Sequence, residues 1–229
     1  MQRNWDRLPS PNLRNVVLRE YMTVRVLGIS GSPHRHGNTE TLLDSFLEGA
    51  AAAGATVEKV VLRDLNFSTC MGCNACHKTG ECIVKDDFNA LFEKILSVDC
   101  VAVASPIYSM GITAELKSLI DRAQYLWARK FILKTLYFSA DHIRTHKGLF
   151  ISTAGLSWNN VFDAAFPAIT AFFNGTGFEY YDNIIANNMD AFGGVKKHPT
   201  ALKEAYDKGV KVVKVLEKMG GMDTKEIIK

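Results

Sequence analysis

The chain has 229 residues, 47% of them hydrophobic, with a formal net charge of +3, which is enough apolar material to bury a sizeable core in one α/β domain. Its basic residues are dispersed rather than clustered, which argues against nucleic acid as a partner. No apolar run approaches a membrane span and residues 1–22 lack the apolar stretch of a signal peptide, so we expect a cytoplasmic protein whose five cysteines are reduced.

Residues 1–22, with Pro9 and Pro11, show no strong period and read as an N-terminal extension; 23–229 carries no linker-like stretch and reads as one domain. Val24, Val26, Leu27 and Ile29 predict a strand over 24–30, and Leu42, Leu43, Phe46, Leu47 and Ala50 predict a helix over 39–53. Between them lies Ser30-Gly31-Ser32-Pro33-His34-Arg35-His36-Gly37-Asn38-Thr39. A strand, a loop of small and hydroxyl residues and a helix N-terminus together make a phosphate cradle: free backbone N–H groups and the positive end of the helix dipole favour a dianion. The lysine of the nucleoside-triphosphate loop is absent, so a single terminal phosphate is the expected ligand. The bland alternative is an ordinary βα turn.

A strand over 56–62 leads into a cysteine-rich loop, 66–85. Asp86 and Asp87 suit a helix start, followed by Phe88, Leu91, Phe92, Ile95 and Leu96 at helical spacing. The third strand, 99–104, holds Cys100, read as a buried small hydrophobe. It runs into Ser105-Pro106-Ile107-Tyr108-Ser109-Met110-Gly111, then a helix with Leu116, Leu119, Ile120, Ala123, Leu126 and Trp127 on one face. Loops at the carboxyl edge of parallel strands bind ligands, and Tyr108 and Met110 offer flat or polarizable surface to a large ring. Residues 129–147 form an aromatic and basic insertion, read as a lid or subunit contact. The strand 148–153 ends in Ser152-Thr153-Ala154-Gly155, again small residues at a carboxyl edge. Then follow a helix over 160–174 closed by Gly175 and Gly177, a strand near 178–186, a turn at Gly193-Gly194, and a helix over 200–219 with Leu202, Tyr206, Val210, Val213 and Leu216 inward.

Cys70, Cys73, Cys76 and Cys82 are spaced C-x2-C-x2-C-x5-C. Two-residue spacers let a loop wrap one face of an iron-sulfur cube, with Gly72 and Ala75 allowing close backbone approach, so four thiolates serving one [4Fe-4S] centre is the leading assignment. A zinc site lacks the usual pair of separated C-x2-C knuckles. Free or redox-active thiols are the other alternative.

Ile29-Ser30-Gly31-Ser32-Pro33 with Gly37-Asn38-Thr39 resembles the FMN-phosphate loop of the flavodoxin-like NAD(P)H-dependent FMN reductase and iron-sulfur flavoprotein families, which usually place arginine directly after the proline. Here His34 stands there and Arg35 follows, leaving open which of them reaches the phosphate. Ser105-Pro106-Ile107-Tyr108, with Leu116-Lys117 and Asp121-Arg122, resembles the isoalloxazine loop and following helix of the same families, and Thr153-Ala154-Gly155 their third flavin-side loop. The cysteine spacing resembles the compact motif of the iron-sulfur flavoproteins.

The resemblance implies a flavodoxin-like, doubly wound, five-stranded parallel sheet of order 2-1-3-4-5. FMN would lie at the switch point between strands one and three, touching Ser30, Ser32, His34, Arg35, Asn38, Thr39, Pro106 to Gly111 and Thr153 to Gly155. It implies a homo-oligomer, dimer or tetramer, in which the cluster of one subunit lies near the flavin of another. NAD(P)H is a candidate electron donor and a ferredoxin-type protein a candidate electron partner. The protein would supply placement and electrostatics, with no side-chain acid or base assigned. A cluster-free NAD(P)H-dependent FMN or quinone reductase, and an electron carrier with no substrate of its own, are the alternatives.

Overall fold

The computed structural model describes residues 23–227, with side chains as far as Met219; the N-terminal extension read at 1–22 lies outside the described residues. Its centre is a wholly parallel sheet of β1 (Arg25–Ser30), β2 (Thr56–Val61), β3 (Cys100–Pro106), β4 (Lys147–Thr153) and β5 (Glu179–Ala186) in the order β2-β1-β3-β4-β5. This is the flavodoxin-like order that the resemblance implied. Successive residues of a strand face opposite sides of the sheet. Val26 of β1 and Cys100, Ala102 and Ala104 of β3 join one core layer, and Leu27, Ile29, Val101 and Val103 join the other. The first layer is covered by α1 (Asn38–Ala52) and the C-terminal helix, the second by helices from the middle of the chain. Among the described residues no helix is long and apolar enough to cross a membrane.

The middle of the chain holds a single turn, α2 (Cys76–Thr79), then α3 (Asp87–Ile95), which buries Phe88, Leu91, Phe92 and Ile95. Asp86 caps α3, accepting from the Phe88 N–H at 3.2 Å, while its own N–H donates to Asn89 Oδ1 at 2.9 Å. The helix predicted through Trp127 breaks at Ala123 into α4 (Ala114–Arg122) and α5 (Gln124–Trp127). Trp127 leaves the core, 41% exposed, with its ring 6.0 Å from that of His77 in the cysteine loop.

The insertion folds onto its own domain through a π-turn over Ala128–Ile132 and the helix α6 (Ala140–Thr145). Lys130 Nζ donates to the Asn174 carbonyl at 3.0 Å, and the Phe138 ring covers Gly177. The next helix, α7, spans Phe166–Thr176 rather than starting at 160. A helix begun there would call on an N–H from Pro167 to meet the carbonyl of Asp163, whereas in the first turn no such donor is needed. Gly175 lies inside α7, and only Gly177, at φ 85, ends it.

After the short α8 (Met189–Phe192) and a 3₁₀ turn over Val195–Lys197, the chain ends in α9 (Ala201–Ile227). Its inward face is Ala201, Ala205, Gly209, Val212, Val213 and Leu216, whereas Tyr206 is 38% exposed. Of the predicted face, Val213 and Leu216 are buried and Leu202 packs against the core, while Tyr206 turns outward. A Cβ on Gly209 would collide with the Phe46 carbonyl, and one on Gly49 with that of Tyr206, so α1 and α9 cross at backbone contact. Small residues set that face because bulky ones would hold the helices apart.

Candidate functional site

At the carboxyl edge of the sheet the loops after β1, β3, β4 and β5 enclose a cleft of about 310 Å³ at the switch point between β1 and β3, at the lower end of the usual size of small-molecule sites. The structure brings Ser32, His34, Asn38, Thr39, Pro106, Ile107, Tyr108, Thr153, Ala154 and Gly155 together around it. At the loop after β1, α1 begins after Gly37 with no side-chain cap. Its first amides therefore have no partner within the helix and face the cleft with the positive end of the dipole. Thr39 and Thr153 hydroxyls meet at 2.5 Å, both nearly buried, and Ser32 Oγ bonds the His34 N–H at 3.2 Å. Asn38 Oδ1 accepts from the Val195 N–H at 2.9 Å, which ties the cradle to the segment after β5.

Arg35 turns away from the cleft to pair with Asp64, and Arg63 donates to the Pro33 carbonyl, so neither guanidinium lines the cradle. His34 is the basic side chain that does. Ser30 is wholly buried beneath the loop, its Oγ without a hydrogen-bond partner. Ser109, Met110 and Gly111 also stand outside the lining. Met110 packs on Ala154, Val161 and Phe162 instead. Tyr108 and Gly111 exchange backbone hydrogen bonds of 2.9 and 3.0 Å around Ser109 (φ 48) and Met110 (φ 65). That is a tight turn with two non-glycine residues in the left-handed region, at a strain of roughly 1 kcal/mol or more each. Its effect is to hold Tyr108, 45% exposed, at the cleft.

Two lining residues were not foreseen, Met189 and Asp190. Met189 N–H donates to the Ala154 carbonyl at 3.1 Å, and the Asp190 carboxylate packs on Gly155, where a Cβ would approach it to 2.5 Å. The available signal was position: the segment leaves a parallel strand at the same carboxyl edge as the other three loops.

Glu40, 1% exposed in the first turn of α1, braces the cradle by accepting from the His36 N–H at 2.7 Å and from Lys59 Nζ at 2.9 Å. Burial acts to raise its carboxyl pKa, but Lys59 and the His36 amide outweigh it and the pKa is lowered. A depressed carboxylate stabilises the fold above its ordinary value, 4.5, and that contribution disappears as pH falls through the folded pKa. Glu40→Gln is therefore expected to lower stability at neutral pH by about 1–3 kcal/mol. The gap from the wild type should narrow in melts below about pH 4.5; a gap independent of pH would show that the charge is irrelevant.

The cysteine loop follows β2, and Cys70, Cys73, Cys76 and Cys82 all line a second, narrow cavity of about 30 Å³. Met71, Ile83, Val84 and Tyr125 give it apolar walls, and Arg122 supplies positive charge. The Cys76 thiol pKa is pushed up by burial and further by the charges of Cys70, Cys73 and Cys82. Among the described residues no three His, Cys, Asp or Glu side chains converge closely enough for one metal ion. Four thiols are a donor set of the kind that holds a [4Fe-4S] centre or zinc. Cys100 is wholly buried in β3, away from this loop.

The family of NADPH-dependent FMN reductases matches residues 24–166. The chain belongs to that family. It is 38% identical over 103 residues to an iron-sulfur flavoprotein of Methanocaldococcus jannaschii, a match covering 45% of this chain and 53% of that protein. A second relative, an iron-sulfur flavoprotein of Archaeoglobus fulgidus, is 28% identical over 205 residues, 86% of this chain and 100% of that one. The chain spans about half the length of the first curated relatives it matches. Among solved structures, an FMN-dependent NADH-azoreductase from Bacillus anthracis in complex with FMN superposes with a TM-score of 0.60 at 14% identity, over 82% of this chain and 99% of that one. That likeness concerns the fold.

Proposed function

We propose that this chain is an FMN-dependent oxidoreductase of the iron-sulfur flavoprotein type, passing electrons between a [4Fe-4S] cluster and FMN. The observation that carries the reading is that all four loop cysteines line one cavity, in a chain whose separate cleft has an uncapped helix N-terminus that suits a phosphate. The names of the relatives point the same way. Ser32, Asn38, Thr39 and Thr153 hold the phosphate end, Tyr108 and the main chain from Pro106 and from Ala154 flank the ring, and Cys70, Cys73, Cys76 and Cys82 ligate iron. When bound, the flavin supplies two-electron and one-electron chemistry and the cluster one-electron chemistry. The protein's part is placement: the turn at Ser109-Met110 holds Tyr108, while Glu40 and Lys59 hold the cradle.

NAD(P)H and a ferredoxin-type protein are the donors to test. The exposed Met71, Ile83, Phe131 and Tyr137 around the cysteine loop and insertion, with Leu156 and Trp158 after β4, are the apolar surface expected of a homo-oligomer. Anaerobic purification with iron, sulfide and flavin assays tests the reading. We expect about one FMN and about four irons per chain. Full FMN with no iron and rapid NAD(P)H-driven quinone reduction would instead establish the cluster-free reductase.

A further inference from the structure

The helix α4 lies next to the flavin-side loop in sequence, yet its last residue, Arg122, is drawn to the cysteine loop. It is 3% exposed. Nη1 donates to the Ser68 carbonyl at 2.7 Å and to Asp86 Oδ2 at 2.6 Å, and Nη2 to the Val84 carbonyl at 3.2 Å and to Asp86 Oδ1 at 3.0 Å. Asp86 in turn accepts from the Ser68 N–H at 2.9 Å. One guanidinium therefore sutures the loop on both sides of the cysteines, before Cys70 and after Cys82. Four of its five N–H donors are used in this way. The fifth, on Nε, is buried with no hydrogen-bond partner.

A buried N–H left unpaired is costly, so one on a side chain lining a cavity points to an acceptor that completes it. The same cavity is lined by the four cysteines and by Arg122, and of the four it is Cys82 that acts on the charge of the guanidinium. Anionic sulfur is the acceptor chemistry at hand. Burial opposes the arginine's charge, but the bonds to Asp86 and the neighbouring Cys82 offset it, and its pKa is raised.

We propose that Arg122 is a positioning residue for the cluster, holding the cysteine loop closed and donating its Nε–H to the Cys82 thiolate. This rests on the cluster reading above. Hydrogen bonds to cluster sulfur stabilise the reduced, more negative state and raise the reduction potential. The donation thus has a signature that a purely structural suture lacks.

The test compares anaerobically reconstituted wild type and Arg122→Lys, with FMN content and melting temperature as controls of folding. Lysine keeps the positive charge but has no fork and no Nε–H. We expect a lower cluster midpoint potential in an EPR-monitored titration of the variant, and iron loss to a chelator about tenfold faster. A potential equal to wild type, whatever the rate of iron loss, would overturn the proposal. Should the variant fail to fold, pulsed EPR of the reduced wild type labelled with [15N]arginine decides: a weakly coupled arginine nitrogen is expected, and its absence overturns the proposal. A wild type that takes up FMN but no iron would defeat the cluster reading itself, and this inference with it.

Discussion

Cys73→Ser is expected to strip iron and sulfide from the anaerobically prepared protein while leaving FMN bound. Cys73 is exposed on the loop after β2, so its replacement disturbs no core contact, and away from ligand chemistry such changes usually shift stability by about 0.5 kcal/mol or less. In the proposed role of one of four thiolate ligands, its loss would leave one iron of a cube without its protein bond. The expected readout is a fall from about four irons per chain to near zero, with the broad charge-transfer absorbance lost from beneath the flavin peaks. FMN stays because the cleft belongs to the loops after β1, β3, β4 and β5, and the cysteine loop lines a different cavity. Cys100→Ser is the control. That thiol is wholly buried in β3 with its pKa raised by burial, so it is poorly suited to form a ligating thiolate, and iron content should not change. Iron retained at wild-type level in Cys73→Ser would remove the ligand assignment. Zinc in place of iron in the anaerobic wild type would make the loop a structural clip.

FMN is expected to bind far more tightly than riboflavin, and Thr39→Ala is expected to erase much of that difference. The only chemical distinction between the two flavins is the phosphate, so their affinity ratio reports the cradle. Thr39 lies in the first turn of an uncapped 15-residue helix, its hydroxyl against that of Thr153 at 2.5 Å. A hydrogen bond to a charged group contributes on the order of 1.5–3 kcal/mol, so FMN affinity should fall roughly tenfold or more while riboflavin changes little. Ser32→Ala should act in the same direction. Arg35→Ala should have a small effect, because its guanidinium is committed to Asp64 in an exposed pair worth about 0–1 kcal/mol. Equal affinity for FMN and riboflavin in the wild type would remove the phosphate assignment; a large loss in Arg35→Ala would mean that the arginine leaves Asp64 for the phosphate.

Much of the architecture is legible in local pattern. Val26, Leu27 and Ile29 mark β1, and Leu42, Leu43, Phe46, Leu47 and Ala50 mark the buried face of α1, because transfer of apolar side chains onto a sheet follows the period of each element. The placement of ligand loops is legible for a similar reason, since parallel strands with intervening helices leave their carboxyl edges open at a switch point. Cysteine spacing is equally local, since all four thiols belong to one short loop.

Other features depend on partners that no local window contains. Periodicity placed Val213 and Leu216 on the inner face of α9 correctly but assigned Tyr206 there too, where the approach of α1 through Gly49 and Gly209 selected Ala205 and Gly209. The composition of the phosphate loop offered Arg35 to the ligand, whereas Asp64, 29 positions away, draws it outward. Met189 and Asp190 reach the cleft only because β5 is laid beside β4, which brings the Met189 amide to the Ala154 carbonyl. Arg122 reads as part of the helix after the flavin-side loop, yet it bonds Asp86, 36 positions earlier, and the chain on either side of the cysteines. A buried charge must find its counter-charge and hydrogen-bond partners wherever the fold has placed them.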